Sequence, residues 1–134
     1  MRVKLRHLDA WNQSRRERAE YYSLQLKVSC PAAVLPITRE GRIPVYHLYV
    51  IQIENRDNVL KSLTECGIGA GIHYPVPIHF QKCHQDLGYS AGDFPVSERL
   101  AKHILSLPLY PELSDAQLDQ VVGALKKFMT GSDA

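Results

Sequence analysis

Several features that mark other classes of protein are missing from this sequence of 134 residues. No apolar run approaches the roughly 20 residues that span a bilayer, and the charged opening MRVKLRHLDAWNQSRRERAE does not resemble a secretory signal peptide. Sixteen basic and fourteen acidic residues give a formal net charge of +2. Because this charge is too small to require a nucleic acid or a membrane as partner, we expect neither.

Cysteine is scarce, with Cys30, Cys66 and Cys83 as the whole complement. An odd number of widely spaced cysteines without a secretion signal argues for free thiols in a reducing compartment, so we expect a cytoplasmic protein. Metal-ligand spacings of the CxxC or HExxH type are absent, as are GxGxxG and GxxxxGK[ST] loops. We therefore expect no metal site and no glycine-rich nucleotide-binding loop.

A long amphipathic helix is predicted near the start of the chain, from Lys4 to Lys27. Its apolar residues fall at steps of three and four with polar members between them, and they are Leu5, Leu8, Ala19, Tyr22 and Leu26. This stripe is thin for a long helix, which needs tertiary packing to be stable. Part of the helix is therefore expected to require a partner surface.

Proline and glycine predict a loop after this helix, and three later segments are predicted to be extended. VYHLYVIQI (Val45 to Ile53) indicates a strand buried on both faces. IGAGIHY (Ile68 to Tyr74) indicates a short strand whose glycines allow another backbone segment to approach closely. YPVPIHFQ (Tyr74 to Gln81) is predicted to be extended and stiff. SLPLYP is restricted to an edge strand or an extended segment because Pro108 has no backbone N–H.

Helices are predicted between and after these segments. Asp57 can cap a helix from Asn58 to Cys66, with Gly67 as its stop. Shorter helices are predicted near Lys82 to Leu87 and from Ser97 to about His103.

The clearest predicted helix is the last one. Ser114 and Gln117 form a capping box, and one apolar stripe follows it, made of Leu118, Val121, Val122, Leu125, Phe128 and Met129. The tail TGSDA is predicted to fray. The order of elements predicts an α/β fold, a small two-layer sandwich in which helices cover one face of a short sheet.

The densest cluster of chemically active side chains follows the second predicted strand: His73, Tyr74, His79, Cys83 and His84. One interpretation is a binding loop, because Pro75 and Pro77 would present imidazole and phenol groups at little entropic cost. Imidazole can bind phosphate or hydroxyl groups or shuttle a proton. The alternative is a proline-rich crossover whose histidines pack and hydrogen-bond locally. The residues alone leave both interpretations open.

Several motifs in a fixed order together resemble a known family. VYHLYVIQI precedes GIGAGIHYPVPIHFQ (residues 67–81), and GDFPVSERLAKHILSLPLYPELSDAQLDQVV (residues 92–122) follows, so that HYPxPxH, PxSE, SLPLYP and an amphipathic helix occur in sequence. This arrangement closely resembles the C-terminal part of the nucleotide-sugar aminotransferases of the DegT/StrS group. The opening RVKLRHLDAWNQSRRERAEYY is similar to the family's helix that links its large and small domains.

The resemblance implies a domain organisation and an activity. Residues 1–27 would be the linking helix, residues 28–130 the C-terminal small domain of an aspartate-aminotransferase-like fold, and residues 131–134 a tail. Members of the family are homodimers that use pyridoxal phosphate and usually glutamate to aminate a keto-sugar carried on a nucleotide, in pathways such as polysaccharide biosynthesis.

The resemblance also implies what this chain lacks. In the family the cofactor lysine and most of the phosphate cup lie in the large N-terminal domain. None of the lysines of this chain stands in a segment resembling the family's lysine motif: Lys4, Lys27, Lys61, Lys82, Lys102, Lys126 and Lys127. We therefore expect the chain alone to bind no pyridoxal phosphate and not to transaminate.

Three hypotheses follow about the role of the chain. It could be a truncated or separately encoded C-terminal domain that completes an active site beside a large domain from another chain. It could be a stand-alone binding or scaffold module without catalysis, dimerising with itself. The least favoured hypothesis is an enzyme of a new type that uses the histidine cluster.

The resemblance identifies candidate site residues in the HYPxPxH segment, which in the family lies at the entrance to the active site. His73, Tyr74 and His79 are expected to line a substrate site as hydrogen-bond donors or orienting groups, and Pro75 and Pro77 to hold the loop's shape. We expect no catalytic residue in this chain. His47 is a weaker candidate, because it is at least as well explained as a strand residue facing the helical cover.

Overall fold

The predicted N-terminal helix is present as two helices. The structure is a computed structural model that describes residues 2–130. Of the tail TGSDA that was predicted to fray, Thr130 ends the last helix and residues 131–134 lie outside the described residues. Helix α1 (Arg2–Leu5) is followed by a turn and then by helix α2 (Leu8–Ser29). The predicted single helix is therefore interrupted at residues 6 and 7.

The predicted apolar stripe of residues 4–27 runs over α1 and α2 and is buried in its C-terminal part only. Ala19, Tyr22 and Leu26 are fully buried, whereas Leu5 and Leu8 are exposed. The buried half packs against helix α5 (Asp115–Thr130). Leu5 and Leu8 are left exposed by the described residues, and the requirement of a further surface for this part of the chain stays a prediction.

The sheet consists of two short antiparallel strands, β1 (Tyr49–Gln52) and β2 (Ile104–Leu107). Tyr49 lies opposite Leu107, and Ile51 lies opposite Leu105. These four side chains point to one face and are buried. The prediction of a strand from Val45 to Ile53 that is buried on both faces was therefore wrong. The strand is four residues long and alternates between buried and half-buried positions, because the helices cover one face of the sheet.

The segments around the second predicted strand also differ from expectation. Residues 68–74 do not form a strand; Gly71 makes an isolated antiparallel bridge to Ser106. The N–H of Gly71 lies 3.0 Å from the Ser106 carbonyl oxygen, and the reverse bond is 2.7 Å. The close backbone approach predicted from the glycines is thus confirmed at Gly71. The segment from Tyr74 to Gln81, predicted to be extended, closes into a 3₁₀ turn at Ile78–Phe80. The short helix predicted near Lys82 to Leu87 is present as a 3₁₀ helix, Lys82–Leu87.

Helix α3 (Arg56–Glu65) begins without the predicted cap. The residue before it is Asn55, which has left-handed backbone angles and makes no side-chain cap. Asp57 cannot cap the helix because it lies inside the first turn, where its Oδ1 is 2.7 Å from Nε of Arg56. Gly67, with φ of +73°, ends the helix region as predicted.

The last two helices follow local sequence rules closely. Helix α4 (Pro95–His103) starts two residues earlier than predicted because proline is well suited to the first turn. The capping box before α5 is present: Gln117 N–H lies 3.3 Å from Ser114 Oγ, and Ser114 N–H donates to Gln117 Oε1 at 2.9 Å. The stripe after it is buried at Leu118, Val121, Val122 and Leu125.

Packing of these elements gives the predicted α/β fold. Helix α5 contacts α2 and α3, and α3 contacts β2. One hydrophobic core joins these helices to the inward-facing residues of both strands. Within residues 2–130, no helix combines the length and apolar character needed to cross a bilayer.

Candidate functional site

The predicted site residues lie in a loop that begins beside strand β2, where Gly71 bridges to Ser106. We name residues 73–81 the HYP loop, after its first three residues. It starts two residues after the bridge between Gly71 and Ser106 and ends at the 3₁₀ turn that contains His79. The peptide bond between His73 and Tyr74 is cis.

His73 is attached to the sheet through Ser106. The Nδ1 atom of His73 lies 2.9 Å from Oγ of Ser106, a buried side chain on the sheet face opposite Leu105 and Leu107. Gly71 makes room for this ring, since a Cβ at that position would lie 3.2 Å from Cε1 of His73. The His73 ring is therefore held at the sheet while its residue as a whole stays exposed.

Tyr74 occupies the most open part of the loop. It is 72% exposed, and its ring meets the His73 ring edge-on with 5.6 Å between centroids. Pro75 beside it is exposed, and Pro77 adopts extended backbone angles of −54° and 148°. The phenol is thus presented to solvent next to an imidazole whose position is fixed.

His79 has a different environment from His73 and Tyr74. Its side chain is 7% exposed, and its Nε2 lies 3.3 Å from Oε1 of Glu98. The ring packs against both Phe80 and Phe94, with centroid distances of 4.1 Å and 4.8 Å. His79 lines an apolar cavity of about 260 Å³ together with His84, Ile78, Leu87, Tyr89, Phe94 and Ser97. The structure does not bring His73 and Tyr74 into this cavity.

Glu98 is a site residue that sequence reasoning did not single out. Its carboxylate accepts the N–H of Gly92 at 2.9 and 3.1 Å and the N–H of Phe94 at 3.3 Å, besides contacting His79. The Gly92 hydrogen bond lowers the pKa of Glu98; partial burial opposes this, and the Phe94 N–H and the His79 ring lower the pKa further. An acidic residue in the first turn of a helix is common, so the PVSE segment alone gave little signal.

His47 lies outside the strand in which it was predicted. It is exposed and lines an open groove of about 750 Å³ formed by residues 36–50. Arg39 and Arg42 share this groove with the exposed residues Ile37 and Ile43. The interpretation of His47 as facing the helical cover was wrong, because the chain becomes a strand only at Tyr49.

The described residues contain no ready-made metal site. Across residues 2–130, no three His, Cys, Asp or Glu side chains come together in a way that could hold a metal ion. His79 and Cys83, which are four residues apart, do not share a helix face; the Sγ of Cys83 lies 3.9 Å from Oε1 of Gln81.

Nearly the whole chain matches one known protein family. Residues 1–126 match the DegT/DnrJ/EryC1/StrS aminotransferase family. The chain belongs to this family. The resemblance predicted from the order of HYPxPxH, PxSE and SLPLYP is therefore confirmed.

Individual relatives are similar over nearly the whole chain. The erythromycin biosynthesis sensory transduction protein EryC1 of Saccharopolyspora erythraea is 44% identical over 126 residues, which are 94% of this chain and 34% of the relative. The dTDP-3-amino-3,4,6-trideoxy-α-D-glucose transaminase of Streptomyces venezuelae is 34% identical over 128 residues, covering 96% of this chain and 34% of the relative. This chain thus spans about a third of the length of the curated relatives it matches.

The fold agrees with that of a solved family member. The crystal structure of DesV from S. venezuelae superposes with a TM-score of 0.90 at 34% identity, covering 96% of this chain and 34% of DesV. The predicted aminotransferase-like small domain is therefore the fold that this chain adopts.

Family membership implies pyridoxal phosphate, and the described residues do not fit it. A binding site for this cofactor needs a lysine in a pocket shielded from water and a set of groups that bind the phosphate. All seven lysines are exposed. Lys102 lines a cavity of about 300 Å³, but the carboxylates of Glu54 and Asp57 share that cavity and would repel a phosphate group. We therefore assign to the side chains of residues 2–130 no catalytic step that uses pyridoxal phosphate.

Proposed function

We propose that this chain supplies the substrate-side C-terminal domain of a pyridoxal-phosphate-dependent aminotransferase that acts on a nucleotide-linked keto-sugar. One observation carries the proposal. The HYP loop is held near both ends by side-chain hydrogen bonds, from His73 to Ser106 and from His79 to Glu98, while its middle is exposed. A loop held in this way loses little entropy when a ligand binds. The transaminase activity named for the S. venezuelae relative supports the substrate class.

Each loop residue has a role in this proposal. The Nδ1 of His73 is engaged with Ser106, so Nε2 is the nitrogen left to bind a hydroxyl or phosphate oxygen of the sugar nucleotide. The phenol of Tyr74 supplies a second polar group beside it. Pro75 and Pro77 restrict the backbone between these groups and His79, which acts as an orienting residue.

The proposal requires a larger partner that brings the cofactor. The exposed leucines at positions 5 and 8 offer an apolar surface that the described residues leave uncovered. We assign this surface to the large aminotransferase domain, with a second copy of the chain as the other candidate. The free thiols of Cys30, Cys66 and Cys83 support the cytoplasm as the place of action.

A chimera tests the proposal. In it, this chain replaces the segment that it matches in the S. venezuelae transaminase. We expect the chimera to take up pyridoxal phosphate and to transaminate with a dTDP-linked keto-sugar, whereas the isolated chain does neither. His73→Ala and Tyr74→Phe should each lower kcat/KM by about tenfold, which corresponds to one lost hydrogen bond. Tyr110→Phe, at an exposed tyrosine outside the HYP loop and outside the cavity that His79 lines, is the control.

Two results would contradict the proposal. One is transamination by the isolated chain. The other is a folded, cofactor-loaded chimera whose kcat/KM is unchanged by both His73→Ala and Tyr74→Phe.

A further inference from the structure

One carboxylate connects three segments around the HYP loop. Glu98 projects from helix α4 and accepts hydrogen bonds from the backbone of Gly92 and Phe94, in the turn before that helix. The same carboxylate contacts Nε2 of His79, near the end of the HYP loop. Its side chain is 18% exposed, so these contacts are partly shielded from water.

We propose that Glu98 is a positioning residue for the substrate site. It holds His79, and through His79 it fixes the end of the HYP loop that the sheet does not hold. This inference rests on the proposed function, because it assigns Glu98 to the same substrate-binding loop. Glu98 itself touches no substrate.

The connection between Glu98 and the exposed residues runs through a short, stiff stretch of chain. Tyr74 and His79 are separated by four residues, and Pro75 and Pro77 are two of them. Proline fixes φ and reduces the number of conformations of such a segment. Because the His73 end is held at Ser106, releasing the His79 end should turn a loop with two anchors into one with a single anchor.

The packing around His79 explains why the carboxylate is needed. Phe80 and Phe94 both pack against the ring, so the imidazole has apolar neighbours and its Nε2 has Glu98 as its polar partner. A polar atom left unsatisfied in such a place is costly. Removing the carboxylate should therefore loosen the ring as well as the turn at residues 92–94.

The first arm of the test uses the isolated chain and measures amide hydrogen exchange. In Glu98→Ala we expect exchange to quicken by about tenfold or more at Gly92, Phe94 and the HYP loop, with little change in the buried half of α2. Glu98→Gln keeps the shape and one acceptor oxygen, so it should show a smaller change in the same direction. Glu112→Ala, at an exposed glutamate outside the site, is the matched control.

The second arm uses the chimera and separates binding from turnover. We expect Glu98→Ala to raise KM for the sugar nucleotide by about tenfold while kcat changes by less than about threefold, because the loop is disordered before the substrate binds. Glu98→Gln should recover most of the affinity. A general structural defect would instead lower the amount of active enzyme and leave KM unchanged.

The two arms distinguish failure of this inference from failure of the proposed function. Unchanged exchange at Gly92, Phe94 and the HYP loop in both variants would overturn the positioning role, and so would faster exchange with an unchanged KM. If Glu98→Ala does not fold, amide exchange in Glu98→Gln decides alone, and unchanged exchange at Gly92, Phe94 and the HYP loop in that variant would overturn the positioning role. An unmodified chimera that is loaded with cofactor but inactive would contradict the proposed function, while the exchange arm would still decide whether Glu98 holds the loop.

Discussion

The Nε2 atom of His79 lies 3.3 Å from the Oε1 atom of Glu98, a residue 19 positions further along the chain. This contact gives the two histidines of the HYP loop different environments. His79 is buried and packs against Phe80 and Phe94, whereas His73 is exposed beside Tyr74. The loop is therefore best understood as an exposed segment between two side-chain anchors, one at the sheet and one at helix α4.

Glu98 should make stability depend on pH in the acid range. Its pKa is below the ordinary value of 4.5, chiefly because the Gly92 N–H donates to the carboxylate. The folded state therefore binds the proton less tightly than the unfolded state does. The resulting stabilisation is complete above the ordinary value and is lost as the pH falls through the lower pKa of the folded state.

Urea unfolding at a series of pH values below neutrality measures this effect. Glu98→Gln should remove the part of the acid-range slope that Glu98 contributes, whereas Glu112→Gln should retain it. The same slope in Glu98→Gln as in the unmodified chain would show that the carboxylate titrates equally in both states.

Two leucines on helix α2 should differ sharply in their contribution to stability. Leu26 is fully buried, while Leu24 on the same helix is 63% exposed. Leu26→Ala should lower the free energy of unfolding by about 2–5 kcal/mol because it leaves a cavity in the core. Leu24→Ala should change it by less than about 0.5 kcal/mol. Equal effects of the two substitutions in urea denaturation would mean that the face of α2 that carries Leu26 does not pack on α5.

Tyr22 should depend on its hydroxyl as well as on its ring. The fully buried side chain donates a hydrogen bond to the carbonyl oxygen of Pro108 at 3.0 Å, directly after strand β2. Tyr22→Phe leaves that carbonyl without its donor and should cost about 1–3 kcal/mol in thermal or urea unfolding. Tyr89→Phe removes an exposed hydroxyl and should be nearly neutral. A neutral Tyr22→Phe would argue against this packing.

Local rules explain which elements the sequence predicts well. Helix α5 was predicted correctly because its capping box and its apolar stripe are both short-range patterns. The strand containing Tyr49 was predicted too long, since the length of a strand depends on the partner that pairs with it. Residues 68–74 were also predicted as a strand, but only Gly71 in this segment pairs with β2, and it forms an isolated bridge. The sequence of the segment does not show how many of its residues find a pairing partner.

The site was predicted in part. The motif order identified the family and placed His73, Tyr74 and His79 in one loop, and their contribution to a substrate site stays a prediction. Sequence reasoning could not separate their environments, because the partners Ser106 and Glu98 lie 33 and 19 residues away along the chain. Contacts over such separations are decided by the fold and leave no periodic pattern in the sequence.

Gly71 should be needed for the placement of the His73 ring. A Cβ at Gly71 would approach Cε1 of His73 to 3.2 Å, which is closer than ordinary van der Waals contact, whereas a Cβ at Gly69 would meet nothing within 4 Å. Gly71→Ala should therefore shift the NMR signals of the His73 ring, and Gly69→Ala should leave them in place. Identical His73 signals in both variants would contradict the described position of the ring.

The most direct test of the central claim is to find where the cofactor is attached. Borohydride reduction fixes pyridoxal phosphate to the amine that holds it, and mass spectrometry then identifies the modified lysine. In the chimera, we expect this lysine to lie in the part contributed by the S. venezuelae transaminase, and we expect the isolated chain to carry no stoichiometric adduct. A single, fully modified lysine within this chain, in either sample, would contradict the account.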